Sequence, residues 1–515
     1  MVAVFVAFTI VSCNKKLDRL PTNDITAEKA YSTALGYKEA FAKVYASYAL
    51  TGNAGPAGNA DIVGLDEGQN ADFLRTFWKA EELPTDEAVI AWGDAGLQDF
   101  HNMNWSSDNG FLKGLYYRSL LQITLANEFL RQSTDDLLSS RGISGTDADE
   151  IRKYRPEVRF LRAYQYWVLM DLFGDPPFIT EAEKVGASLP KQISRKELFN
   201  YVESELKEIE TELPAARTNE YGRADQAAAW ALLARVYLNA EVYSGTQRYA
   251  DAITYSKKVI DAGFKLIPDY RNLMLADNQL NTDEFILTIN YDGLHTQGYG
   301  GTTFLTHASV GGKMSPAKSG INGGWGGLRT TKTFADLFPD YTGALDQRAE
   351  FDLTGQNVDI NDETVFNDGI GVVKYRNVNR DGTYGKSLDF SDIDFPIFRL
   401  AEMYLVYAEA SLRGGGGDNA TALGYINLLH ARAGAAPVES INLDMILNER
   451  AKELYWEGHR RTDLIRYGRF TTGNYLWPWK GGTKNGRAVE DFRNLYPLPS
   501  SDVASNPNLT QNPGY

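Results

Sequence analysis

Aromatic and alanine residues recur at spacings of three and four along most of the chain, a pattern that predicts amphipathic α-helices. The stretch AAAWALLARVYLNAEVYSGTQRYADAITYSKKVIDAGF shows it best. Trp230, Leu233, Ala234, Tyr237 and Leu238 mark one helix face. Tyr249, Ala252, Ile253, Ser256, Val259 and Ile260 mark a second, and Gly263 stands where a helix end is expected. Small residues at a crossing with large ones beside it are the tetratricopeptide recipe for an antiparallel helix pair.

Three further pairs follow the same rule. RPEVRFLRAYQYWVLMDLF pairs with SRKELFNYVESELKEIETEL, and FRLAEMYLVYAEASL with NATALGYINLLHARAG. YKEAFAKVYASYAL pairs with LYYRSLLQITLANEFL across a long insertion. Such units need neighbours to bury their faces, so the expected fold is mainly α: tetratricopeptide-like helix pairs forming a right-handed superhelical spine. Residues 51–110 and roughly 268–395 break the pattern, being rich in Gly, Asn, Asp, Thr and aromatics with short strand-like runs such as EFILTINY. Loops this long are functional or disordered as a rule, and their aromatic content argues for a working surface.

The chain opens on MVAVFVAFTIVSC, an apolar run too short to span a bilayer and suited to a signal peptide. IVSC resembles a bacterial lipobox, in which the thiol is lipidated and becomes the mature N-terminus. Residues 1–12 are then the signal peptide, Cys13 the lipidated residue, 13–24 a polar tether and 25–515 a single folded domain. The alternative is a buried N-terminal helix or strand with an incidental cysteine. One lipid chain anchors only reversibly, so a second, membrane-embedded attachment is expected.

Hydrophobic content of 43% with 23% charged residues describes a folded protein. A net charge of -15 leaves no basic surplus for phosphates and excludes a nucleic-acid partner. Catalytic patterns fail in turn. DGTYGKS would need glycine at Arg380 to be a phosphate loop, and GGGDNA joins two helices and is read as a turn. His101, His295, His307, His430 and His459 form no i, i+4 pair, and no G-x-S-x-G occurs. Glu457, Arg460, Arg461, Asp463 and Arg466 are spaced as a helical ion-pair network. Asp277, Asn278 and Asp283 offer mixed oxygen ligands of a kind that suits calcium, with a polar turn as the alternative.

NGGWGGL sets Trp325 between two pairs of glycines, outside any helix or strand pattern. Its ring either faces outward for a ligand or folds back as a plug over the core. Tyr299, between Gly298 and Gly300, poses the same choice, whereas Trp92 after AVIA reads equally as core.

RPEVRFLRAYQYWVLMDLFGDPPFIT, DFPIFRLAEMYLVYAEASLR, ERAKELYWEGHRRTDLIRYGRF and YPLPSSDVASNPNLTQNPGY together resemble the signature blocks of the SusD/RagB family of surface glycan-binding lipoproteins. LDEGQNADFLRTFWKAEELPTDEAVIAW, YGGTTFL and RYGRFTTGNYLWPWKGG resemble its starch-binding members most. The resemblance implies non-catalytic binding of starch and maltooligosaccharides at the cell surface. It also implies an outer-membrane lipid anchor and delivery to a SusC-like TonB-dependent transporter. Carried over residue by residue, Trp92, Tyr299 and Trp325 form the aromatic surface, with Asp66 and Arg75 as polar partners at its edge. Ala95 occupies the place of a sugar-contacting asparagine, for which the neighbouring Asp94 is the expected substitute. Another glycan in the same role, a tetratricopeptide scaffold for protein alone, and a glycosidase are the competing readings.

Overall fold

The computed structural model describes residues 26–515 except 53–54, 57–59, 67, 184–185 and 187. The expectations for residues 1–24, Cys13 included, lie outside the described residues. Helices α1 (Ala34–Ala46), α2 (Phe73–Glu82), α3 (Gly110–Gln132), α4 (Gly145–Phe173) and α5 (Arg195–Ile209) build the N-terminal half together with α6 (Gln226–Leu238) and α7 (Tyr249–Asp261). Beyond them come α8 (Gly301–Ala308), α9 (Leu400–Leu412), α10 (Asn419–Arg432), α11 (Leu443–Leu454) and α12 (Arg460–Arg466). Side-chain caps fix several starts: Thr33 for α1, Asn109 for α3, Asp225 for α6, Asp418 for α10, and a full Ser194–Glu197 capping box for α5.

The four expected pairs are all in contact: α1 with α3, α4 with α5, α6 with α7, and α9 with α10. The pairs also pack on one another, α1 on α4 and α7 on α9, so their apolar faces merge into one large core. The protein is mainly α, with the strands confined to two-stranded sheets. No helix among the described residues is long and apolar enough to cross a membrane.

Three elements differ from expectation. First, α4 begins at Gly145, ahead of the RPEVRF start, and runs through Pro156. Second, Phe398 and Arg399 are not helical. They end a strand (Phe395–Arg399) that pairs antiparallel with the expected Phe285–Ile289 strand, and α9 starts directly after it. Every residue of that strand is buried, so no polar alternation marks it.

Third, α2 lies inside residues 51–110, where no helix was expected. All ten of its residues are buried, including Arg75, Lys79, Glu81 and Glu82. Phe73, Leu74, Phe77 and Trp78 share one face of it, and what the pattern does not show is that the charged face opposite is enclosed as well.

The Glu457–Arg466 cluster is an ion-pair network, but its reach is tertiary. Arg460 Nε is 2.7 Å from Asp86 and Arg461 Nη1 is 3.4 Å from Glu81, which fastens α12 to α2 and the turn beyond it. Glu457 meets Lys374 and Arg399 at 2.7 Å each, and Arg466 meets Glu409 at 2.7 Å. The Asp463–Arg466 pair, at 2.7 Å, is the local i, i+3 contact.

Candidate functional site

Asp72 organises the first half of the site. As the N-cap of α2 its Oδ1 accepts the Arg75 amide at 2.7 Å, and the same oxygen accepts the Gly301 amide at the start of α8 at 3.0 Å. One carboxylate thus joins two helix N-termini. Gly300 allows this approach: a Cβ there would lie 2.1 Å from Asp72 Cγ. Burial raises the Asp72 pKa, opposed by those two amide hydrogen bonds. Tyr299, immediately before α8, is consequently held above the start of α2 with 41% of its surface exposed.

The second half comes from a two-stranded sheet, β1 (Val89–Ile90) against β2 (Leu328–Arg329). Continuing the ladder, the Ala91 amide donates to Gly327 O at 2.9 Å, bringing Trp92 beside Trp325. The Trp325 loop runs along the C-terminal end of α8. The Trp325, Gly326 and Gly327 amides donate to His307 O (2.8 Å), Val310 O (2.9 Å) and Ala308 O (2.8 Å) respectively. Carbonyls that a helix end leaves unmatched are satisfied by the loop itself.

The glycines around Trp325 are explained by these contacts. A Cβ on Gly324 would lie 2.1 Å from Val310 O, and one on Gly327 would lie 2.6 Å from Trp92 Cε2. Both serve close intramolecular packing, and Gly323, with nothing within 4 Å, is the one that faces open space.

Three rings line one cleft of ≈ 440 Å³. The Trp92 and Trp325 centroids are 6.4 Å apart with planes at 43°, and those of Tyr299 and Trp325 are 6.3 Å apart at 60°. Neighbouring planes are therefore inclined to one another and not coplanar. Asp66, Gly68, Gln69, Arg75 and Asp94 complete the lining. Asp66 Oδ1 accepts the Gly68 and Gln69 amides at 3.0 and 2.7 Å, an Asx turn that fixes this edge. Asp66 and Asp94 are exposed, as is Ala95 beside Asp94.

All six sequence-nominated residues thus meet in one cleft, but Arg75 differs in role from an edge residue. It is 4% exposed, and its Nη1 donates to Gly68 O at 2.7 Å and Tyr299 O at 2.8 Å. It clamps two loops from beneath, with its guanidinium 5.7 Å from the Trp92 ring centroid. Burial lowers its pKa to about 10, opposed by Asp72, Asp66 and Asp94, so it stays charged at neutral pH.

Sequence reasoning missed Gln69, which sits in the quoted LDEGQN run. It also missed the second layer, where His307 stacks on Trp325 at 4.8 Å and Phe390 lies 5.8 Å from Tyr299. His307 carries no spacing signal in the sequence, and nothing in Phe390's neighbourhood announces a partner 91 residues earlier.

Asp277, Asn278 and Asp283, the calcium candidate, each hold other partners. The Arg380 amide donates to Asp277 at 3.2 Å, and Asp283 pairs with Arg217 at 2.8 Å. The Asn278 amide group is buried and bonded to Leu273 O and both backbone groups of Asp394. Among the described residues no group of three or more His, Cys, Asp or Glu could hold a metal ion.

Comparison with known proteins agrees with this architecture. Residues 355–515 match the family described as "SusD family", and residues 62–238 one described as "Starch-binding associating with outer membrane". The "Starch-binding protein SusD" of Bacteroides thetaiotaomicron is 36% identical over 98% of this chain and 96% of its own length. "SusD-like protein P2" of Formosa agariphila is 26% identical over 82% of this chain and 85% of its own length. Among solved structures, a SusD superfamily protein from Parabacteroides distasonis superposes with a TM-score of 0.72 at 22% identity, covering 96% of this chain and all of that one. Surface glycan-binding protein A from Bacteroides thetaiotaomicron, in complex with laminarihexaose, superposes with a TM-score of 0.69 at 21% identity over 92% of this chain and 98% of its own. Identity sustained along almost the whole length of a curated relative, on a shared fold, establishes that this chain belongs to the SusD/RagB family.

Proposed function

We propose that this protein is a non-catalytic binder of starch and maltooligosaccharides at the cell surface. In this reading a lipid on Cys13 anchors it to the outer membrane, and it delivers its cargo to a SusC-like TonB-dependent transporter. The observation that carries the proposal is the convergence of Trp92, Tyr299 and Trp325 on one cleft edged by Asp66, Gln69 and Asp94. A glucose ring presents weakly positive C–H groups on its faces and hydroxyls around its rim. Faces stack on the negative face of an aromatic ring, and the rim suits carboxylates and amides.

The tilt between platforms supports an α-linked glucan. Each α-1,4 linkage turns the chain, so successive sugars present faces at an angle, as planes at 43° and 60° require. A flat β-1,4 ribbon needs coplanar platforms instead. By analogy with bases on aromatics, each ring contributes about 1–3 kcal/mol. After the cost of association, two or three platforms give affinities on the order of micromolar to millimolar, weak enough to hand cargo onward. The transporter and the membrane attachment rest on family membership and on the matched family's description as starch-binding and outer-membrane-associated.

A second ligand has a specific observation in its favour, since a protein of the same fold binds laminarihexaose. Titration calorimetry with maltoheptaose, laminarihexaose and cellohexaose separates the readings. The proposal expects measurable binding of maltoheptaose and none of cellohexaose. Binding of laminarihexaose alone overturns the choice of glucan, and binding of none overturns the function.

A further inference from the structure

His307 closes α8 directly behind Trp325. Its imidazole stacks on the indole at 4.8 Å with 26° between planes, and its backbone carbonyl accepts the Trp325 amide at 2.8 Å. Ring and backbone of one residue therefore fix the plane that Trp325 presents to the cleft. The imidazole Nδ1 is 2.8 Å from Gly323 O. A carbonyl can only accept, so the neutral ring carries its proton on Nδ1 and leaves Nε2 as a bare acceptor. That Nε2 is buried and has no hydrogen-bond partner among the described residues, in a side chain only 2% exposed.

A second proton would have to enter on Nε2. It would place a full charge against the rear face of the indole, 4.8 Å away. The surroundings offer one opposing charge. Asp389 faces the imidazole from the 387–390 loop, while the 322–327 loop and the rest of α8 contain no titratable side chain. Asp389 is itself bonded to the Asn322 side-chain amide. Burial pulls the His307 pKa below its ordinary value, opposed by Gly323 O and by both the charge and the backbone of Asp389. The residue is therefore neutral at neutral pH and gains its proton on acidification.

We propose that His307 is a positioning residue for Trp325 and that its protonation weakens glycan binding as pH falls, an inference that rests on the glucan reading above. An imidazolium draws π-electron density toward the rear of the indole. The front face, which meets the partly positive sugar C–H groups, loses the charge that makes stacking favourable. By linkage the bound sugar holds His307 neutral, so acid must displace sugar in proportion.

The test uses the full folded domain, with maltoheptaose as probe, from about pH 8 to pH 5, the range a histidine spans. Indole emission, quenched by a stacked imidazolium, is read without sugar. The Trp325 contribution is obtained as the difference from Trp325→Phe. In the native protein this contribution and the maltoheptaose affinity are expected to fall together. The affinity loss is expected to be about fivefold, equivalent to roughly 1 kcal/mol of stacking.

His307→Phe keeps a ring behind the indole but loses the bond to Gly323 O, and its affinity, set against its own value at pH 8, is expected to show no acid loss. His307→Ala removes the backing and is expected to bind about fivefold more weakly at every pH. Native and His307→Phe profiles that superimpose overturn the proposal, as does a Trp325 emission that fails to titrate in the native protein. Emission that titrates with His307 in a protein that binds no glucan at any pH overturns the glucan reading and upholds the coupling of His307 to Trp325.

Discussion

The Trp92 indole N–H donates to the backbone carbonyl of Trp325 at 3.1 Å, across 233 residues of sequence. Two platforms of the cleft are thereby held by each other, and the ring of one fixes the loop that carries the other. Trp92→Phe keeps a stacking face and deletes this bond. The expected result by calorimetry is a maltoheptaose affinity about fivefold lower, since one hydrogen bond contributes about 1 kcal/mol net. Gly327→Ala should have a comparable effect by pushing a Cβ to within 2.6 Å of Trp92 Cε2.

Arg75 is a clamp whose loss affects both folding and binding. Arg75→Met leaves Gly68 O and Tyr299 O without their donor beneath the cleft. Urea unfolding is expected to show a loss of about 2–3 kcal/mol, the cost of orphaning buried acceptors. Maltoheptaose affinity should drop with it, because Tyr299 loses its tether.

Lys79, one turn further along α2, predicts the opposite sign. Its Nζ sits 3.9 Å from the Phe111 ring centroid and has no hydrogen-bond partner among the described residues. Burial first, and then the Arg75 charge, hold its pKa well below normal. Lys79→Met replaces an uncompensated buried amine by an apolar chain of similar length. Thermal and urea denaturation are expected to show stabilisation of about 1–2 kcal/mol.

The same helix shows where sequence reading stops. Helix α7 was legible because one face is apolar and the other wet, so the period of 3.6 survives in the sequence, and α6 beside it, buried on nearly all sides, was legible from its run of alanines and large apolar residues. Around α2, Arg75, Lys79, Glu81 and Glu82 look like a solvated helix interrupted by aromatics, and only the partners Tyr299, Phe111, Arg461 and Gly458 reveal that all four are inside. Those partners are remote in sequence, and no local rule finds them. The cleft divides likewise. Tyr299 and Trp325 stand out in glycine-rich contexts, whereas Trp92, His307 and the Asp72 junction depend on contacts that exist only once α2 and α8 are packed. Asp277, Asn278 and Asp283 mislead for the converse reason: adjacency in sequence hid their separate commitments to Arg380, Asp394 and Arg217.

Stability should peak at mildly acidic pH. Burial raises the Glu82 pKa to about 7, opposed by hydrogen bonds from Glu87 and from the Gly458 and His459 amides, and raises that of Glu350 to about 8. Each such group binds its proton in the folded state after the unfolded chain has released it. The stabilisation is therefore complete below the unfolded value near 4.5 and is lost as pH rises through the folded value. Glu453 works the other way: burial is outweighed by Arg432, Arg399 and Arg348, which hold its pKa at about 2. Its contribution is present above 4.5 and lost as pH falls toward 2. The melting temperature is expected to decline from about pH 5.5 to pH 8, and Glu82→Gln should flatten that decline.

The most direct test of the central claim is a crystal structure with maltoheptaose bound. The account predicts glucose rings lying flat against Trp92, Tyr299 and Trp325 at about 4 Å, ordinary van der Waals contact, with hydroxyls reaching Asp66, Gln69 or Asp94. A sugar chain bound elsewhere, with these three rings bare, would contradict it.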